Sequence, residues 1–101
     1  MSFLSNLFGG GNNETREEAH RMVEEGALLL DVRTPGEFSG GHLDGAINIP
    51  VQELGGRLDE VAKDRPVVVY CRSGARSERA RQMLVANGVE KVLNLGGMSA
   101  W

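Results

Sequence analysis

The segment Pro66-Val67-Val68-Val69-Tyr70-Cys71 constrains the fold of this chain more than any other. A strand with one wet face alternates apolar and polar residues. An unbroken apolar run of this length reads as a strand covered on both faces, as in a parallel sheet. Ala27 to Val32 repeats the pattern and closes on Asp31. Between these runs lie helical signals. Thr15 and Glu18 have the spacing of a capping box, with Ala19, Met22 and Val23 as an apolar stripe and Gly26 as a C-terminal cap. Thr34-Pro35 starts a short helical turn, with Thr34 as cap and Pro35 first inside. Gly40, Gly41 and Gly45 make the next stretch a loop, and Ala46 to Ile49 is a short strand stopped by Pro50.

Further along, Val51 to Leu54 and Arg57 to Ala62 are expected helical pieces, weakened between them by Gly55-Gly56. Cys71 stands at the carboxyl end of the central strand. A helix is expected from about Arg76 to Asn87, with Ala80, Met83 and Leu84 inward and Gly88 as its cap. Val89 to Leu95 supplies a last strand, and Gly96-Gly97 turns the chain away. Strands alternating with helices predict an α/β fold: a single open, mostly parallel twisted sheet with helices on both faces. Ligands of such sheets bind outside the carboxyl ends of the strands, which is where Cys71 falls.

The chain has 101 residues, enough for one domain, and 25% of them are charged, as in an average globular protein. Residues 1–13 are expected to be a flexible tail, because Gly9-Gly10-Gly11-Asn12-Asn13 reads as a tether. Residues 14–101 form the domain. Met1 to Phe8 has no basic start and too short an apolar run for a secretory signal. No segment approaches a membrane span. One cysteine permits no internal disulfide and suits a reducing compartment, so the cytoplasm is the expected location. The net charge of -3 argues against a nucleic-acid partner. Arg65, Arg72, Arg76, Arg79 and Arg81 nevertheless cluster, and Arg79 and Arg81 are read as a solvated helix face.

The chemistry concentrates in Cys71-Arg72-Ser73-Gly74-Ala75-Arg76-Ser77, which runs strand, short loop, helix. Successive amides in such a loop can point inward and form an anion-binding nest. The amino end of the following helix adds partial positive charge. Gly74 permits a positive φ, and Ser73, Ala75 and Ser77 are small enough for the backbone to close around a small ion. A thiol over that nest ionises more readily, and the thiolate is the reactive form. A buried cysteine at a strand end is often only a small core residue, but the glycine loop, two loop arginines and helix start favour function. One Cys and two distant His cannot supply a zinc site, and no cofactor is expected.

The loop resembles the active-site loop of rhodanese-like sulfurtransferases. So do Asp31-Val32-Arg33 with Glu37-Phe38, Gly41-His42 with Gly45-Ala46-Ile47-Asn48-Ile49-Pro50, and Gly96-Gly97 with Trp101. The matches run in the family's order over residues 15 to 101. The resemblance implies that the Cys71 thiolate takes sulfane sulfur from thiosulfate or a persulfide donor and holds it as a persulfide. A thiophilic acceptor such as cyanide or a thiol then removes it, in ping-pong fashion. The amides from Arg72 to Ser77 would stabilise the persulfide anion, Arg76 would complete the cradle and bind the anionic donor, and Arg72 would face the loop mouth. Related phosphatases place five residues between Cys and Arg. Four separate Cys71 from Arg76, a ring suited to sulfur rather than to a phosphoryl group.

Asp31, Arg33 and His42 are expected to support the site rather than to react. Asp31 and Arg33 are read as lying on the same side of the sheet as Cys71 and bracing its loop, and His42 as holding its own loop by hydrogen bonds. His20 reads as a surface residue, and Trp101 as a packing anchor. The chain departs from many family members in two respects. Gly11-Asn12-Asn13-Glu14 is too polar for the extra buried strand, and the sequence stops at Trp101, so a minimal domain is expected. An enzyme, a partner-loaded carrier in a sulfur relay, and a non-catalytic sulfur- or redox-sensing module all remain compatible with the residues. The intact loop disfavours the last.

Overall fold

A computed structural model describes residues 13–101; the start Met1–Phe8 and most of the glycine tether, expected as a flexible tail, lie outside the described residues. The elements run α1 (Asn13–Glu24), β1 (Leu28–Asp31), α2 (Pro35–Ser39), β2 (Ile47–Asn48), α3 (Val51–Leu54), β3 (Val67–Cys71), α4 (Ala75–Ala86) and β4 (Val92–Gly97). Short 3-10 turns occupy Leu58–Glu60 and Met98–Ala100. All pairings are parallel, in the order β2-β1-β3-β4.

Both central strands are buried along their whole length, as their unbroken apolar runs require. Successive side chains point to opposite faces, so one strand feeds two cores. Leu28, Leu30, Val67, Val69 and Cys71 pack with Leu54, Ala80 and Leu84 beneath α3 and α4. Leu29, Val68 and Tyr70 pack with Ala19 and Met22 of α1 and with Ala100. Each layer covers one face, and both are needed to keep the sheet dry.

Several local expectations are corrected. Thr15 does not cap α1: the helix starts at Asn13, and Thr15 is buried inside it. Glu18 instead pairs with Arg21 and, across the fold, with Lys91. The capping box stands at α2, where the Thr34 hydroxyl accepts the Glu37 amide and the Glu37 carboxylate accepts the Thr34 amide. The helical piece after Gly56 shortens to Leu58–Glu60. The last strand begins at Val92 and runs through Gly96-Gly97 rather than stopping before them. A bulge between Val69 and Tyr70 lets Leu95 stand unpaired, so that Gly96 faces Tyr70 and Gly97 faces Cys71. Gly96 takes φ 97° there, a value that demands glycine. His20 is half-buried rather than free: its ring stacks on Trp101 at 3.8 Å, and its Nε2 lies 2.6 Å from the Trp101 oxygen.

Candidate active site

β3 ends on Cys71, and the chain curls back over it before α4 begins. Gly74 makes the curl possible with φ 105° at the N-cap of α4. The curl turns main-chain hydrogens onto the sulfur. The Gly74 amide donates to Cys71 Sγ at 2.9 Å and the Ser77 amide at 3.4 Å, with Ser77 Oγ at 3.3 Å. Ser77 Oγ also lies 3.1 Å from the Gly74 carbonyl. Its single proton therefore has two destinations. With a neutral thiol it serves the carbonyl; with a thiolate it can turn to the sulfur.

Cys71 has no exposed surface. Burial pushes its thiol up, but hydrogen bonds from the Ser77 hydroxyl and from the Ser77, Gly74 and Ser73 amides outweigh it, and the net direction is down. Such donors favour the thiolate form of a buried thiol without a neighbouring base.

Arg76, in the first turn of α4, does not reach toward an empty cradle. Its Nη1 and Nη2 donate to the two carboxylate oxygens of Glu37 at 2.8 and 3.1 Å. Arg72 is exposed and, among the described residues, has no hydrogen-bonding or ionic partner. It lines a cleft of about 440 Å³ together with Arg33, Glu37, Gly41, Met98 and Ser99.

Asp31 and Arg33 share the carboxyl edge of the sheet with Cys71 but not its face. Asp31 pairs in register with Tyr70, so both point away from the thiol, a correction to the expected same-side placement. Arg33 grips Asp31 with Nε and Nη2 at 2.7 to 3.1 Å, donates to the Gly41 carbonyl at 2.7 Å, and lies 5.8 Å from the Tyr70 ring centre. The Tyr70 hydroxyl accepts the Leu43 amide at 3.1 Å. This buried group thus fixes the 40–43 loop, the far wall of the cleft. His42 is exposed; its Nδ1 donates to the Phe38 carbonyl at 2.9 Å and its ring stacks on Phe38.

Two residues escaped the sequence reading. Asn94, a buried amide in an apolar strand, accepts the Gly96 amide at 2.9 Å and donates to the Gly74 carbonyl at 3.4 Å, tying the bulge to the loop. A polar residue within Val92-Leu93-Asn94-Leu95 was the available signal. Glu37 was read only as part of a motif; its pairing with Arg76 crosses 39 positions of sequence and had no local signature.

A cysteine held by inward amides at the carboxyl edge of a parallel sheet defines a class of α/β domain with its thiol at the loop between strand and helix. The rhodanese-like domain model matches residues 15–101, and the chain belongs to that family. A sulfurtransferase of Allochromatium vinosum is 47% identical over 76% of this chain and 73% of its own length. The thiosulfate sulfurtransferase GlpE of Shewanella oneidensis is 39% identical over 72% of this chain and 73% of its own. Among solved structures, a rhodanese with anions from E. coli shares 36% identity with a TM-score of 0.69, covering 74% of this chain and 91% of that one. Among the described residues, no helix is long and apolar enough to cross a membrane.

Proposed function

We propose that this chain transfers sulfane sulfur from thiosulfate or a persulfide donor, through a persulfide on Cys71, to a thiophilic acceptor such as cyanide or a thiol. The observation that carries the reading is the ring of donors on Cys71 Sγ, with the Gly74 amide at 2.9 Å. The Cys71 thiolate attacks the outer sulfur of thiosulfate. A new S–S bond forms, the bond to the inner sulfur breaks, and sulfite leaves with the electron pair. Cyanide then attacks the outer sulfur of the persulfide. Thiocyanate departs and the thiolate returns with its electron pair, so the cycle needs no outside oxidant.

The thiolate carries its charge on Sγ and the persulfide on the outer sulfur, so other inward amides of the 72–77 loop would hold the second charge. Arg72, unpaired among the described residues and lining the cleft, is suited to receive the anionic part of the donor. Cys71 is covered in this conformation, so loading requires the loop to give way locally. The short ring, with four residues between Cys71 and Arg76, supports sulfur over phosphoryl chemistry.

The test is to weigh the intact protein after incubation with thiosulfate. The reading expects the gain of one sulfur mass, removed by cyanide and absent from Cys71→Ser. No gain in the folded native chain rejects it. Steady-state turnover with cyanide separates an enzyme from a partner-loaded carrier, and hydrolysis of an aryl phosphate lost in Cys71→Ser would favour a phosphatase instead.

A further inference from the structure

Two arginines flank the reactive loop in different states. Arg72 is unpaired among the described residues, whereas the guanidinium fork of Arg76 is filled by both oxygens of Glu37. A planar guanidinium offers a bidentate edge to one carboxylate or one oxyanion at a time. Glu37 does not reach Arg76 by chance of rotamer. Its Oε1 also accepts the Thr34 amide at 2.9 Å and lies 3.2 Å from the Thr34 hydroxyl. The cap of α2 therefore holds the carboxylate in place beforehand, so filling the fork costs little further side-chain entropy. The pair is reachable from solvent, with 34% and 26% of the two side chains exposed, and Glu37 also lines the cleft beside Arg72.

We propose that Glu37 is a specificity-determining positioning residue: it acts as an internal anion on Arg76 that a charged sulfur donor must displace. The inference rests on the sulfur-transfer reading for its choice of donor. A doubly charged donor such as thiosulfate meets a fork already occupied and a carboxylate that repels it. A donor whose sulfane sulfur hangs on an uncharged group meets neither obstacle. The affinity for the anion is reduced by the fraction of molecules in which the fork is free. Glu37 thereby tilts the site away from small dianions and toward persulfide donors of lower charge.

The experiment measures thiosulfate binding by calorimetry to Cys71→Ser, which cannot be loaded, at constant ionic strength. Adding Glu37→Gln should tighten binding about fivefold, the scale of one partly exposed ion pair. Glutamine keeps the capping box, which accepts either residue at that position, so the fold should persist. Adding Arg76→Gln as well should erase the gain. Unchanged affinity in the folded Glu37→Gln protein overturns the proposal. So does an equal gain without Arg76, which would reduce the effect to a lost surface charge, and so does the absence of measurable binding to every variant. Should Glu37→Gln unfold, Glu37→Asp retains the charge but is one methylene shorter and cannot reach Arg76 from the Thr34 cap as Glu37 does, and no gain there also overturns it. Binding to a serine variant involves no transfer. A failed loading assay on the native chain and an unmoved affinity here are thus separate results.

Discussion

The carbonyl oxygen of Arg72 rests against Gly97, 2.5 Å from the point a β-carbon on that residue would occupy. Gly97 has an ordinary φ of -83°, so closeness and not backbone conformation excludes a side chain there. Gly97 is also the register partner of Cys71. The first peptide of the reactive loop is thus seated on the last residue of β4. Gly97→Ala should push that peptide away and cost about 1–3 kcal/mol, the scale of an overpacked interior. Urea denaturation measures the loss. Sulfur loading should fall more steeply than the folded fraction; loading that merely follows the folded fraction would count against the seat.

Ser77 donates its amide to Cys71 Sγ and can turn its hydroxyl, 3.3 Å away, to the thiolate. Ser77→Ala removes the hydroxyl and leaves burial, which raises the Cys71 pKa, less opposed. The thiolate absorbance, readable because the chain has one cysteine, should titrate below the value of the unfolded chain in the native protein and shift upward in Ser77→Ala. Because the folded pKa lies below the unfolded one, the thiolate's contribution to stability is full above the unfolded value and fades as pH falls through the folded one. An unshifted titration in the variant would remove the hydroxyl from the account.

Arg76, together with the cap of Thr34, holds Glu37 down to about 2 from a usual value of 4.5. A carboxylate lowered on folding stabilises the native state above its unfolded pKa and loses that contribution as pH falls toward the folded one. Acid denaturation of the native chain and of Arg76→Gln should therefore diverge above about pH 4.5 and converge toward about pH 2. Parallel curves throughout would mean that the ion pair does not contribute to folding.

Asp31 has no exposed surface, and Arg33 has 6%. Asp31→Asn leaves the guanidinium without its charge partner in a dry site, a change that typically costs about 3–5 kcal/mol. The 40–43 loop should loosen with it, since Arg33 and Tyr70 hold that loop through Gly41 and Leu43. Chemical denaturation and amide exchange at Leu43 check both. Unaltered protection at Leu43 in the folded variant would detach the loop from the ion pair.

Much of this protein is written in short stretches of sequence. The unbroken runs ending at Asp31 and Cys71 already require a sheet covered on both faces, because no polar position is offered to water. Thr34-Pro35, Gly26 and Gly74 mark their turns through chemistry confined to a few neighbouring residues. Cys71 could be placed at the end of its strand for the same reason.

Tertiary structure alone decided the pairing of Glu37 with Arg76, the seat of Arg72 on Gly97, the stacking of His20 on Trp101 and the face of the sheet that Asp31 takes. Each joins atoms far apart in the chain or depends on the register between strands. Periodicity and propensity describe a residue's relation to its near neighbours, so a contact made by bringing two distant elements together leaves no trace in either of them until the sheet has formed.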